Sequence, residues 1–204
     1  MNQCMKTVNH KGFYEKYIKL PQDIILALLG LIILSPVMLI VALLVCIKLG
    51  TPVIFKQERL GKNGKPFIIY KFRTMYMDAE KYGPQWAERI DWRCTRVGRL
   101  LRKTRLDELP QIWNILRGEM SIVGPRPERA YFYDQFETYI HGFSNRLVVK
   151  PGLTGWAQIN GGYDLKPEEK IVFDMEYIDK QSFMLDMKCI LRTVKLIFTH
   201  EGAR

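Results

Sequence analysis

The sequence predicts an α+β fold, mainly helical, with a membrane-embedded N-terminal helix, a short β-hairpin and amphipathic helices after it. Three observations predict it. The run Ile24–Ile47 holds no charge. Pro52–Gln57 and Pro66–Phe72 alternate like short strands around the turn Gly61-Lys-Asn-Gly64. The C-terminal third carries apolar residues at helical spacing.

The 204 residues allow one compact domain, or one domain plus an anchor. Hydrophobic residues make up 48% and charged ones 25%, a mixture that excludes a disordered chain and a multi-span membrane protein. Lys and Arg outnumber Asp and Glu by 31 to 21, a net charge of +10. Such an excess implies an anionic partner: nucleic acid, acidic lipid or a phosphorylated substrate. Cys4, Cys46, Cys94 and Cys189 lie far apart with no CxxC, which argues against a disulfide framework or a cysteine zinc site. Reducing cytosol suits them.

The apolar run spans 24 residues, about 36 Å as a straight helix against a hydrocarbon core of about 30 Å. It has no polar face, so it belongs in a membrane. It starts late and is too long for a cleaved signal peptide. Ser35-Pro36 sits mid-run, where proline removes a donor and bends the helix. Lys6, Lys11, Lys16 and Lys19 precede the run; Lys48, Lys56, Arg59, Lys62 and Lys65 follow it. A spanning helix keeps its basic flank on the cytoplasmic side. Two basic flanks suit a hairpin that enters and leaves one leaflet; a proline-kinked single span is the equal alternative. The domain boundary falls at Gly50, giving 1–50 as anchor and 51–204 as a surface domain.

Beyond the hairpin, Tyr76–Arg93 reads as a loop or insertion. Val97–Thr104 reads as a short basic helix. Asp107 looks like a helix N-cap, with Pro110 in the first turn, Leu109, Ile112, Trp113 and Leu116 on an apolar face, and Gly118 as the stop. Gly124–Glu128 (GPRPE) is a stiff turn, Arg129–His141 a helix, Lys150–Gly162 a glycine-rich loop with or without a short strand, and Pro167–Tyr177 a helix. Ser182–Phe198 is a basic amphipathic helix, suited equally to core packing and to a membrane interface.

The chemistry concentrates around Asp107-Glu108. Arg96, Arg99, Arg102, Lys103 and Arg105 precede the pair, Arg126 and Arg129 follow it, and Lys71 and Arg73 join if the fold brings them near. Two carboxylates among so many cations are expected to stay ionised. The cations attract phosphate. One carboxylate can then attack phosphorus and the other hold a divalent ion, because magnesium needs only one or two carboxylates beside substrate phosphates. The bland alternative is a surface ion-pair network around a helix cap. A P-loop, HExxH and GxSxG are absent, and His10, His141 and His200 are scattered. A membrane-tethered basic binding module and a lipid-phosphate hydrolase compete as functions. Nucleic acid is disfavoured because Arg102–Arg105 lacks interleaved aromatics.

Taken together, Ser35-Pro36 in its apolar run, KFRTM (71–75), LDELPQIWNIL (106–116), GEMSIVGPRPE (118–128) and KPGLTGWAQINGG (150–162) closely resemble the bacterial sugar transferases, the monotopic polyprenyl-phosphate phosphoglycosyl transferases, in their small minimal form. The likeness runs from about Lys16 to the C-terminus, with all five blocks in order. It implies transfer of a sugar 1-phosphate from a nucleoside diphosphate sugar, usually a UDP-sugar, to undecaprenyl phosphate with release of UMP. That is the first membrane step of exopolysaccharide, capsule, O-antigen or glycoprotein glycan assembly. By the same resemblance Asp107 is the nucleophile that forms a covalent intermediate, Glu108 is linked to Mg2+, and Arg102 and Arg126 orient phosphates beside Lys71 and Arg73. It further implies a reentrant helix broken at Ser35-Pro36, both flanks at the cytoplasmic face of the inner membrane, contact with membrane lipids, and room for a homodimer and for downstream glycosyltransferases. Lys150, Gln158 and Asn160 mark a nucleotide or sugar loop. There the chain departs from the family pattern: Gly162 stands where many small members have arginine, which bears on the sugar and not on the reaction, and Lys150 is the substitute positive charge.

Overall fold

The computed structural model describes residues 12–81, 83, 85, 91–162 and 165–199. Cys4, Lys6, His10, Lys11, His200, Tyr163, Asp164 and, within 76–93, residues 82, 84 and 86–90 lie outside the described residues. After one π-helical turn (Tyr14–Ile18), helix α1 runs over Lys19–Leu49. The helical assignment continues through Ser35-Pro36 and does not end there. Proline cannot donate to the carbonyl of Ile32, one turn back. The Ser35 hydroxyl donates to that oxygen instead, at 3.0 Å. In hydrocarbon an orphaned carbonyl costs several kcal/mol, so the serine replaces the bond its neighbour removes.

One stripe of α1 faces the rest of the chain: Lys19, Asp23, Ala27, Val41 and Val45 are buried. Leu31, Leu34, Val37 and Met38 continue it. Spacing of three and four residues puts these on one side. The other side leaves Ile25, Leu28, Leu29, Ile32, Ile33, Leu39, Ile40, Leu43 and Ile47 exposed. So large an apolar face on a helix long enough to cross a membrane associates the chain with lipid.

Strands β1 (Ile54–Leu60) and β2 (Pro66–Phe72) pair antiparallel, Ile54 opposite Phe72. Their turn uses left-handed Asn63 and Gly64. β1 lies later than the expected Pro52–Gln57, because it pairs along the whole of β2. Helix α2 (Arg96–Lys103) is capped by Thr95, whose hydroxyl accepts from Gly98 N at 2.9 Å. A left-handed Arg105 then turns the chain into a 3₁₀ turn (Leu106–Gln111) and helix α3 (Ile112–Leu116). Asp107 is therefore not the expected N-cap; Arg105 holds that position, and Asp107 lies inside the turn. Trp113, expected on the apolar face, points outward, whereas Ile112 and Ile115 pack under Ala27 and Phe67.

Gly152–Thr154 is extended, as one of the two readings of Lys150–Gly162 allows, whereas two further elements have no counterpart in the sequence reading. Strands β3 (Ser121–Val123) and β4 (Gly152–Thr154) pair in parallel, and α5 (Trp156–Asn160) follows directly. Three-residue strands and a five-residue helix are too short to show a period. Helices α4 (Ala130–Glu137), α6 (Pro167–Lys180) and α7 (Phe183–Thr199) lie where sequence places helices. A 3₁₀ turn, Phe143–Val148, links α4 to β4.

Candidate active site

The C-terminal end of β2, the end of α2, the 3₁₀ turn, the GPRPE loop, α5 and α6 converge on a cavity of about 680 Å³. Lys71, Arg73, Arg102, Arg105, Asp107, Arg126, Arg129, Gln158, Gly162 and Lys170 are among its lining residues. Among the charged residues of the wall ten are cationic and three acidic, a balance that suits phosphorylated ligands.

The two carboxylates are adjacent, buried and unlike. Glu108 Oε1 accepts from Lys71 Nζ at 2.9 Å and from Arg126 Nη2; Oε2 accepts from Arg126 Nη1 at 3.3 Å. Burial pushes its pKa up, but Arg126 and Lys71 overcome that and hold it well below the carboxylate range. Asp107 makes no hydrogen bond or ion pair to another described residue and lines the cavity. Burial, then the neighbouring Glu108 charge, push its pKa up to about 6, against the pull of Lys71, Arg102 and Arg126. Both carboxylates are thus ionised at neutral pH, as expected, but burial, which the sequence does not show, separates them widely in proton affinity. Burial also lowers the pKa of Lys71, with Glu108 opposing.

The loop carrying Arg126 is anchored through the Gly124 N–H and the carbonyls of residues 125–128. Gly124 N donates to Thr154 O, and Gly152 N to Pro125 O, each at 2.9 Å. The Arg126 carbonyl accepts from Arg146 Nη2 at 2.9 Å, and the Pro127 carbonyl from Arg59 Nη1 at 3.1 Å. Leu60 N donates to Glu128 O at 3.0 Å. A Cβ on Gly152 would lie 2.1 Å from Gly124 N, so glycine is what lets the two backbones meet.

Behind the loop lies a second charged cluster that sequence reading missed. Glu128 accepts from Lys170 at 2.6 Å and from Arg59 at 3.1 Å. Although burial raises its pKa, Lys170 and Arg59 bring it down to about 2. Arg146 pairs with Asp174 at 2.5 Å, both side chains essentially without exposure. These partners lie 28 to 69 residues apart, beyond the reach of local spacing.

Of the sequence-predicted residues, the fold gathers Asp107, Glu108, Lys71, Arg102 and Arg126. Arg73 also lines the cavity, but its guanidinium donates to Thr51 O at 3.0 Å, Gly50 O at 2.8 Å and Leu49 O. It caps the C-terminal carbonyls of α1, a structural duty not foreseen. Gln158 is on the wall, its amide nitrogen donating to Leu153 O at 3.0 Å. Asn160 turns back onto Trp156 O at 2.8 Å and stays outside the lining. Lys150 also lies outside it; burial lowers its pKa while Asp23 of α1 opposes. Lys150 therefore does not stand in for an arginine at Gly162, which itself borders the cavity. Ser35 and Pro36 are remote, in α1.

Among the described residues no three His, Cys, Asp or Glu side chains form a metal-binding group. Glu108 offers hard carboxylate oxygens of the kind magnesium takes, but both already accept from Lys71 or Arg126 and Glu108 is not among the cavity-lining residues, so a magnesium ion there would have to replace one of those contacts.

The family described as bacterial sugar transferase matches residues 14–200. The chain is 43% identical over 191 residues to UDP-N-acetylgalactosamine-undecaprenyl-phosphate N-acetylgalactosaminephosphotransferase of Aeromonas hydrophila, covering 92% of this chain and 45% of that protein. It is 44% identical over 195 residues to UDP-glucose:undecaprenyl-phosphate glucose-1-phosphate transferase of Escherichia coli (strain K12), covering 93% and 42%. The uncharacterized sugar transferase EpsL of Bacillus subtilis (strain 168) is 42% identical, with 88% of this chain and 87% of that one covered. The chain thus spans less than half the length of the first two relatives. Those two names carry different sugars at nearly equal identity, so overall similarity does not select a sugar.

Proposed function

The chain belongs to the bacterial sugar transferase family, and from this premise we propose that it moves a sugar 1-phosphate from a UDP-sugar to undecaprenyl phosphate, through a covalent bond to Asp107. The observation that carries the reading is a buried carboxylate with no hydrogen-bonding partner among the described residues, facing a cavity of about 680 Å³ lined by several lysines and arginines. Lys71, Arg102 and Arg126 bind the diphosphate and offset repulsion between it and the attacking carboxylate. An Asp107 oxygen attacks the phosphorus that bears the sugar; the bond to the UMP oxygen breaks and UMP leaves. The result is an acyl phosphate. An oxygen of undecaprenyl phosphate then attacks the same phosphorus, the Asp107 carboxylate departs, and the sugar leaves as an undecaprenyl diphosphate derivative. One phosphate site serves both substrates in turn. A magnesium ion held by Glu108 and the substrate phosphates would supply further neutralisation of charge.

The membrane helix is read as monotopic, entering and leaving at the cytoplasmic face. Three contacts support this. Glu15, before α1, pairs with Lys62, after it, at 2.8 Å. Lys19 pairs with Asp186 of α7 at 2.5 Å, while Arg73 holds the carbonyls at the other end of α1. Flanks tied to one another and to one polar domain belong on one side of the hydrocarbon layer. The product would enter glycan assembly at its first membrane step.

The test is a panel of UDP-sugars with magnesium, with and without undecaprenyl phosphate. The expected products are UMP and a polyprenyl diphosphate sugar, with a sugar-phosphate adduct on Asp107 when the acceptor is withheld. Release of inorganic phosphate, with water as acceptor, would overturn the reading in favour of a hydrolase.

A further inference from the structure

We propose that Arg146 is a positioning residue that aims Arg126 at the phosphate site by gripping its backbone carbonyl. This rests on the reading of the cavity given above. Arg146 sits on the 3₁₀ turn Phe143–Val148, outside the cavity lining. Its side chain has no exposure. The Nη2 nitrogen donates to the Arg126 carbonyl at 2.9 Å and pairs with Asp174 Oδ2 at 2.5 Å. The guanidinium lies 5.0 Å from the Phe143 ring centre and 5.9 Å from that of Tyr133. The planar group is thus clamped between rings and a carboxylate, with one nitrogen aimed at one carbonyl.

Stability alone is a poor reason for this arrangement. A buried ion pair is often replaceable by apolar residues of like volume at no loss. What apolar residues cannot do is hold a carbonyl. Arg126 stands between Pro125 and Pro127. Neither proline has an N–H, so the segment can be tied down chiefly through its carbonyls. Pro125, Pro127 and Glu128 are held by partners from β4, β1 and β1 in turn. For Arg126, whose side chain binds Glu108 and borders the cavity, the holder is Arg146. Misplacement by about 1 Å is enough to spoil a bidentate clamp.

The experiment measures UDP binding to the full chain in detergent, in an Arg146→Lys variant, in Arg126→Ala, and in the double variant. Lysine keeps the charge for Asp174 and loses the planar group that stacks on Phe143 and Tyr133 and so directs Nη2 at the carbonyl. UDP affinity is expected to fall about tenfold with Arg146→Lys alone, and less than about twofold when Arg126 is already alanine, since the two act as one unit. A variant carrying Arg146→Met with Asp174→Leu is expected to keep its thermal midpoint and show the same loss. Equal losses in both backgrounds, or none in either, would overturn the inference. Failure of the unmodified protein to bind UDP would overturn the reading of the cavity, and this inference with it.

Discussion

Asp107 and Glu108 are neighbours in sequence and opposites in setting: Glu108 accepts hydrogen bonds from Lys71 and Arg126, whereas Asp107 accepts none from a described residue. Consecutive residues of a tight turn point apart, so one carboxylate meets the cations and the other meets the cavity. The paired group loses basicity and the unpaired one gains it. That division is what the proposed mechanism needs: a carboxylate with free lone pairs beside an ionised partner that organises the cations.

Asp107→Asn is expected to abolish UMP release and the covalent adduct while raising stability. The Asp107 carboxyl binds its proton more tightly in the folded chain, with a pKa of about 6, than in an unfolded one, where about 3.9 is usual. Between those values the folded state carries more protons, so stability falls as pH rises, and the full penalty is present above about 6. Removing the charge should stabilise the protein at neutral pH by on the order of 1–3 kcal/mol. Thermal melts at pH 7.5 and pH 4 check this; the gain should shrink at the lower pH. Undiminished turnover would end the nucleophile assignment.

The rate of adduct formation should depend on pH through the same group. Attack needs the ionised form, so the rate is expected to fall about tenfold per pH unit below about 6 and to level off above it. Glu108, held well below the usual range, stays charged across that interval. Single-turnover measurements from pH 5 to pH 8 read the limb. A flat profile would mean that another group attacks.

Lys71→Met removes one of two cations from Glu108 and one from the cavity wall. The expected losses are at least about tenfold in kcat/KM for the UDP-sugar, and stability on the order of 1–3 kcal/mol from the weakened buried contact. Steady-state UMP release and urea unfolding measure the two separately.

Single cysteines at Tyr17 and Lys65, in a background with the native cysteines replaced, should react with an impermeant maleimide from the same side of sealed vesicles. Both positions are exposed and flank α1. Labelling from opposite sides would rule out the monotopic arrangement.

Much was legible locally. An uncharged run announces a membrane helix because nothing else tolerates 24 apolar residues. Gly61-Lys-Asn-Gly64 announces a hairpin because left-handed backbone favours Asn and Gly. Elements too short to repeat a pattern, such as β3 and α5, left no signal. Asp107 was recognised as chemically interesting but misread as a cap, because Arg105 adopts a left-handed backbone that no side-chain pattern foretells.

The amino-acid sequence by itself determined the membrane anchor, the basic character of the surface domain, the acidic pair and the arginines near it, since each is a matter of composition or of residues within a few positions. Tertiary structure alone decided which carboxylate is paired and which is open. It joined Lys71 to Glu108 across 37 residues, set Arg73 to capping α1, and placed Arg146 behind Arg126. Ion pairs form where the path of the chain brings charges within a few ångströms, and burial then sets their proton affinities.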